Sequence, residues 1–204
     1  MGLSHSMSRR SWIRGTAIIL PLAAALLTGC GSTAKNDTFD LSAASVDGTG
    51  PSAKNKQLLI ADPSALKALN SDQIVIRVSP SEIQYLSRAQ WSDTLPRMVQ
   101  SKLVQAFENS GKLGGVGKPG QGLAIDYQLV TDIRSFEIDA SSGNRAVVEI
   151  SAKILNDRNG TVLTQQVFRA TAAAGGDNTG FVKGLGRAFT EVTDQIVGWT
   201  LKSI

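Results

Sequence analysis

The sequence predicts an α+β fold in which an antiparallel β-sheet carries two amphipathic helices packed on one face. Three observations point there: period-two alternation through the centre of the chain, an apolar stripe at helical spacing before it, and a second such stripe at the C-terminal end. With 204 residues, 42% hydrophobic content and 21 Lys+Arg against 17 Asp+Glu, the chain has enough apolar material for one ordinary domain. One cysteine excludes a disulfide scaffold, because no pair can form within the chain.

Taken in order, Phe39-Asp40-Leu41 reads as a short first strand and Ser42 to Lys56, with Gly48, Gly50 and Pro51, as a flexible loop. Gln57 to Ala61 and Gln73 to Val78 are aliphatic-rich strand segments bounded by Asp62-Pro63 and Asn70-Ser71-Asp72. Ser79-Pro80-Ser81 turns the second of these into Glu82 to Leu86, a hairpin. Leu95, Met98, Val99, Leu103, Ala106 and Phe107 then share one helical face. Ser92 or Asp93 is placed to cap that helix, Pro96 is tolerated in its first turn, and Gly111 ends it.

In the centre, Leu123, Ile125, Tyr127, Leu129 and Ile133 point one way while Asp126, Gln128, Asp132 and Arg134 point the other. Arg145 to Leu155 repeats the alternation with Ala146, Val148, Ile150, Ala152 and Ile154 inward. The turn Asn156 to Gly160 leads into Thr161 to Ala172, which completes a three-stranded meander. Phe181, Leu185, Phe189, Val192, Ile196 and Trp199 form the stripe of the closing helix.

The N-terminal segment has a different logic. Arg9, Arg10 and Arg14 precede an apolar run from Ala17 to Leu27 that ends in Leu27-Thr28-Gly29-Cys30. A basic region, a short apolar core and a small-residue ending make an export signal, and the run is too short for the ~20 apolar residues of a membrane-spanning helix. Leu-Thr-Gly-Cys looks like the lipobox of bacterial lipoproteins, in which the cysteine thiol is alkylated and becomes the acylated N-terminus. Cys30 is therefore the expected lipidation site. Gly31 after it favours the outer membrane, since an Asp there would resemble the inner-membrane retention signal. Ser8-Arg9-Arg10-Ser11-Trp12-Ile13 also resembles a twin-arginine motif, so both export routes stay open. The expected division is residues 1–29 as signal peptide, 30–56 as lipidated tether, and 57–204 as the folded domain.

Removing residues 1–29 takes away three arginines and no acid, leaving 18 basic against 17 acidic residues. That near-neutral balance argues against a nucleic-acid footprint, which needs clustered Lys/Arg. The only histidine, His5, leaves with the signal, and Cys30 is the only thiol. Triad, thiol-imidazole and ordinary zinc chemistry thus lose their residues, and no cofactor or metal is expected.

Several motifs tempt and fail on context. Gly115-Val116-Gly117-Lys118-Pro119-Gly120 matches GxGxxG, but a helix precedes it and a strand follows, the reverse of a dinucleotide site, so it reads as a flexible loop. Ser64-Ala65-Leu66-Lys67 matches SxxK without its SDN and KTG partners and reads as a turn of surface helix. Asp126 and Asp132 share a strand face but lie ~20 Å apart at ~3.3 Å per residue, beyond the spacing of glycosidase carboxylates. Trp91 and Trp199 are expected mainly in the core.

The order of features resembles the auxiliary lipoprotein family of ABC-type transporters. The residues carrying the likeness are the lipobox, Ile74, Ile76-Arg77, Tyr85, Trp91-Ser92-Asp93, Leu95, Tyr127, Leu129, Ile133, Ser135-Phe136-Glu137, Ala146, Val148 and the final helix to Trp199, spanning Gln57 to Trp199. The resemblance implies a non-enzymatic periplasmic component tethered to the outer membrane. It would work with an MCE-domain protein and inner-membrane transporter subunits in moving lipids or other hydrophobic compounds, with no nucleic acid among its partners and self-association left open. Two rivals remain at this level: a lipid carrier holding an acyl chain between sheet and helices, with Trp91, Phe136 and Trp199 as contacts, and an envelope-assembly or cell-wall regulatory lipoprotein.

Overall fold

In a computed structural model, residues 36–41, 50–122, 124–141 and 143–204 are described. The signal peptide, the lipobox with Cys30, much of the Ser42 to Lys56 segment and Leu123 lie outside the described residues. The described residues belong to one compact unit.

The elements in chain order are β1 (Asp37–Phe39), β2 (Ala53–Ile60), β3 (Ser64–Ala65), β4 (Gln73–Ser79), β5 (Glu82–Trp91), α1 (Leu95–Ser110), β6 (Leu113–Gly117), β7 (Tyr127–Asp139), β8 (Arg145–Asn156), β9 (Val162–Ala173) and α2 (Asn178–Ser203). The α+β class holds, and all nine strands join in one sheet. β7, β8 and β9 form the expected antiparallel meander, and β4 and β5 the expected hairpin.

Parallel pairing is the departure from the purely antiparallel expectation. One edge of β7 pairs with β8 along its whole length, whereas the other is divided among three strands that all run parallel to it. Leu58, Leu59 and Ile60 of β2 lie opposite Tyr127, Gln128 and Leu129, Ser64 and Ala65 of β3 opposite Asp132 and Ile133, and Val75, Ile76 and Arg77 of β4 opposite Glu137, Ile138 and Asp139. Outside this row, β6 extends β2, while β5 and β1 extend β4.

Three local expectations are corrected. The segment read as a loop up to Lys56 enters β2 at Ala53, paired with Leu113. The glycine-rich Leu113–Gly117 is strand β6 and not a flexible loop, lying parallel to β2. Glycine is required there: a Cβ on Gly114 would collide with the carbonyl oxygen of Lys54. Ser64-Ala65 is strand β3 rather than a turn of helix, held by the Ser64 hydroxyl, which donates to Asp132 at 2.8 Å.

The helices close as their sequences suggest, with one shift. Thr94, in extended conformation, is the N-cap of α1 in place of Ser92 or Asp93, and Pro96 sits in the first turn, where its missing N–H costs nothing. Gly111 ends α1 at φ 61°, a left-handed turn that glycine adopts without strain. Asp177 caps α2 by accepting from the Gly180 N–H. α1 packs on β2 and β6, α2 crosses β8 and β9, and the two helices touch.

A register shift between Ile133 and Ser135 decides what enters the core. Up to Ile133 the odd positions of β7 face the helices; beyond the bulge Phe136 and Ile138 take over. Phe136, 1% exposed, thereby packs edge-on against Trp91 at 5.9 Å between centroids and against Phe189 of α2 at 5.7 Å.

Candidate functional site

The helices cover one face of the sheet and leave the other open. Registers identify that open face, because residues directly opposite one another across paired strands share it. One row contains Tyr85, Val75, Glu137, Val147 and Thr171; the next contains Ile83, Arg77, Asp139 and Arg145; others contain Ser135, Glu149 and Arg169, then Asp132, Ser151 and Val167. Polar and charged groups alternate here with small apolar ones, the pattern of a face that meets water or a partner.

At its centre is an ion pair spanning two parallel strands. Arg77 Nε donates to one Glu137 oxygen at 2.7 Å and Nη2 to the other at 2.9 Å, a two-pronged geometry, while Nη1 donates to the Pro80 carbonyl at 3.2 Å. The Glu137 side chain is only 8% exposed and that of Arg77 34%. Hydrogen bonding to Glu137 raises the guanidinium pKa further above its already alkaline value, against the opposing effect of burial and with added attraction from Asp139. The Arg77 charge therefore persists at every physiological pH.

Outward from this pair, Arg169 bridges to Glu149 at 2.8 Å and Arg145 donates to the Thr171 hydroxyl at 2.7 Å. Between the charges stand large exposed apolar side chains: Ile83, Tyr85 and Val167. This arrangement has fixed charges, rigid backbone and apolar spots, which suits it to bind a complementary surface.

The residues singled out from sequence are distributed otherwise. Trp91 and Phe136 are inside the core, 2% and 1% exposed. Trp199 is half-buried at the margin, 5.4 Å from Phe168 between ring centroids. Asp126 precedes β7 and accepts from the Gln57 N–H and Arg158, while Asp132 accepts from Ser64 and pairs with Arg134, so they serve separate interactions. Cys30 lies outside the described residues. Sequence reasoning did not find the Arg77–Glu137 pair; both residues stood in the family-like pattern, but their meeting depends on a parallel register 60 residues apart.

Among the described residues, no three His, Cys, Asp or Glu side chains gather to hold a metal ion, and no helix is long and apolar enough to cross a membrane. A sheet with one face sealed by helices and the other exposing paired charges defines a two-layer α+β module with an open sheet face.

The comparisons with known proteins make that class specific. The family model of the ABC-type transport auxiliary lipoprotein component matches residues 39–197, and the chain belongs to that family. The family is one of transport auxiliaries. A crystal structure of a protein from Xanthomonas campestris shares 29% identity with a TM-score of 0.74, covering 81% of this chain and 95% of that one. A second crystal structure, of an uncharacterized protein, shares the fold with a TM-score of 0.62 at 17% identity, covering 80% of this chain and 97% of that one. An uncharacterized protein of Bradyrhizobium diazoefficiens is 27% identical over 184 residues. That alignment takes in 87% of this chain and 48% of the relative, so the chain spans about half the length of the curated relative it matches.

Proposed function

We propose that this protein is the lipid-anchored docking subunit of an ABC-type envelope transport system that moves lipids or other hydrophobic compounds. Acylation at Cys30 holds it to the periplasmic face of the outer membrane, each buried methylene contributing ~0.8 kcal/mol so that several chains give durable attachment. The folded body performs no bond chemistry. It presents the open sheet face, with Arg77, Glu137, Ile83 and Tyr85 near its centre, to an MCE-domain protein or to the inner-membrane transporter subunits.

The observation that carries this reading is the contrast between a filled interior and a charge-paired exterior, in a member of a transport-auxiliary family. The carrier alternative needs room for an acyl chain between sheet and helices. That space is occupied by Trp91, Phe136, Phe189, Leu103, Phe107 and their neighbours, all essentially buried. No feature of the packing favours it.

Affinity purification of the full chain from membranes, in a detergent that preserves complexes, is expected to recover an MCE-domain protein. Tyr85→Asp is expected to reduce that recovery at least tenfold with the thermal transition unchanged, since Tyr85 is exposed. Recovery of the lipoprotein alone, from wild type under the same conditions, rules the docking role out.

A further inference from the structure

Strand β5 departs from regular pairing at one place. Gln73 lies opposite Gln90 and Val75 opposite Tyr85, so β5 carries surplus residues between Tyr85 and Gln90, and Arg88 within that bulge is held at φ 58°. Left-handed backbone strains a residue that has a Cβ, and glycine would occupy the position freely. The residue there is instead an exposed arginine, whose guanidinium makes no hydrogen bond or ion pair among the described residues. Strain of this kind adds nothing to the packing, yet it presents a charge outward.

Two more cations without a carboxylate stand beside it. The Asn178 side chain donates to the Ser87 carbonyl at 3.0 Å, which sets the first turn of α2 against the bulge. Lys183 and Arg187 follow five and nine residues later, about 7.5 and 13.5 Å along the helix. Both are exposed, and neither meets a carboxylate among the described residues; Arg187 donates once, to the Ala173 carbonyl. They line a groove of about 400 Å³ whose lining also includes Asp40, just past the end of β1. Most of the nearby acids are engaged. Asp40 accepts from Lys102, Asp177 caps α2, and α2 has no acid before Glu191, which leaves Asp37 against three cations.

β1 runs between these charges: Asp37 lies opposite Ala89, the neighbour of Arg88, and Asp40 follows at the groove. β1 is also where the chain arrives from Cys30. Asp37 is seven residues beyond Cys30, a span of at most about 25 Å however that stretch runs. An acyl anchor on Cys30 therefore keeps the cationic strip within reach of lipid headgroups. Contacts that would be negligible for a free protein count here, because the anchor makes them intramolecular. One cation beside an anionic leaflet favours the contact roughly fivefold, so three acting together set an orientation.

We propose that the strip formed by Arg88, Lys183 and Arg187 lies against the lipid phosphates of the membrane that holds the anchor, with the β5 bulge and the start of α2 turned toward the bilayer. The occupant is the headgroup layer, because the short tether delivers the strip to it and its charge is opposite. This placement rests on the acylation of Cys30 proposed above. It leaves the docking face free, since α2 covers the other side of the sheet from Arg77 and Glu137.

Headgroup quenching in proteoliposomes tests it. The full acylated chain is reconstituted in phosphatidylethanolamine–phosphatidylglycerol vesicles that carry a small fraction of lipid with a nitroxide headgroup. Bimane is attached to Thr179→Cys, exposed beside the strip, or to Val162→Cys, exposed at the other end of β9 and about 36 Å from Ala173. Quenching is expected to be at least twofold stronger at 179 than at 162. Lys183→Glu combined with Arg187→Glu is expected to abolish that difference, and replacing phosphatidylglycerol with phosphatidylcholine to halve it or more. Arg88→Gly is expected to shrink it while the thermal midpoint stays no lower than wild type, since glycine relieves the left-handed strain. Equal quenching at the two sites overturns the proposal, as does a difference that survives any one of these changes in full. Maleimide uptake by Cys30 of the wild type marks a failure of the anchor itself, and the placement falls with it. A blocked Cys30 with equal quenching overturns the placement alone.

Discussion

The two faces of one sheet are built by opposite rules. Along β8, Ala146, Val148, Ile150, Ala152 and Ile154 face the helices and are fully buried, while Arg145, Val147, Glu149, Ser151 and Lys153 alternate with them on the opposite face. The helix side is apolar, with the Trp91–Phe136–Phe189 aromatic chain at its centre, and its energy comes from exclusion of water. The open side is held by charge pairing, and its most buried polar side chain, Glu137, is matched by both prongs of Arg77. Strength and recognition are thus separated across the thickness of a single strand layer.

That separation can be broken most severely from the apolar side. Phe136→Ala is expected to cost about 3–5 kcal/mol, since it removes the ring that joins Trp91 to Phe189 and leaves a cavity; denaturant unfolding measures it. On the open side, Arg77→Ala is expected to cost about 2–3 kcal/mol, because it strands the Glu137 carboxylate. Glu137→Ala should cost less than Arg77→Ala, since the half-exposed guanidinium can turn to water. The contribution of Arg77 should hold flat from neutral to strongly alkaline pH. The folded-state pKa of Arg77 is raised, so its share is fully present below the unfolded value and is lost only as pH climbs past the guanidinium range.

Finer tests sharpen the contrast. The Thr200 hydroxyl, on the sealed side, has no hydrogen-bond partner among the described residues. Thr200→Val is accordingly expected to be neutral or to stabilise by up to about 1 kcal/mol, by thermal denaturation. The smallest effect belongs to Arg169→Ala. Its bridge to Glu149 has a mostly exposed arginine, so a loss of about 0.5 kcal/mol or less, shrinking further in high salt, is expected.

What was legible in the sequence follows from what is local. The two helices, the β4–β5 hairpin and the β7–β8–β9 meander are written in periodicity and in turns of a few residues, and each was readable. The parallel strands were not, because pairing Leu58 with Tyr127 or Arg77 with Asp139 joins residues more than 60 positions apart and leaves no local mark. β6 was hidden for a related reason: its glycines look like a loop, but they allow a backbone to approach Lys54. The bulge after Ile133 reversed the alternation, so Phe136, named among the contacts of the lipid-carrier reading, lies in the core. Of the three aromatic candidates only Trp199 reaches the surface, and it does so beside β9. Family membership was legible from the dispersed pattern, although the ion pair that centres the open face was not.

The divided edge of β7 also dictates an order of events when the chain is made. β2, β3 and β4 are synthesised first, yet the edge that each shares with β7 stays unpaired until that later strand is made. Loop closure over such distances is slow compared with hairpin formation, so the C-terminal meander is set to assemble first and the earlier strands to dock onto it afterwards.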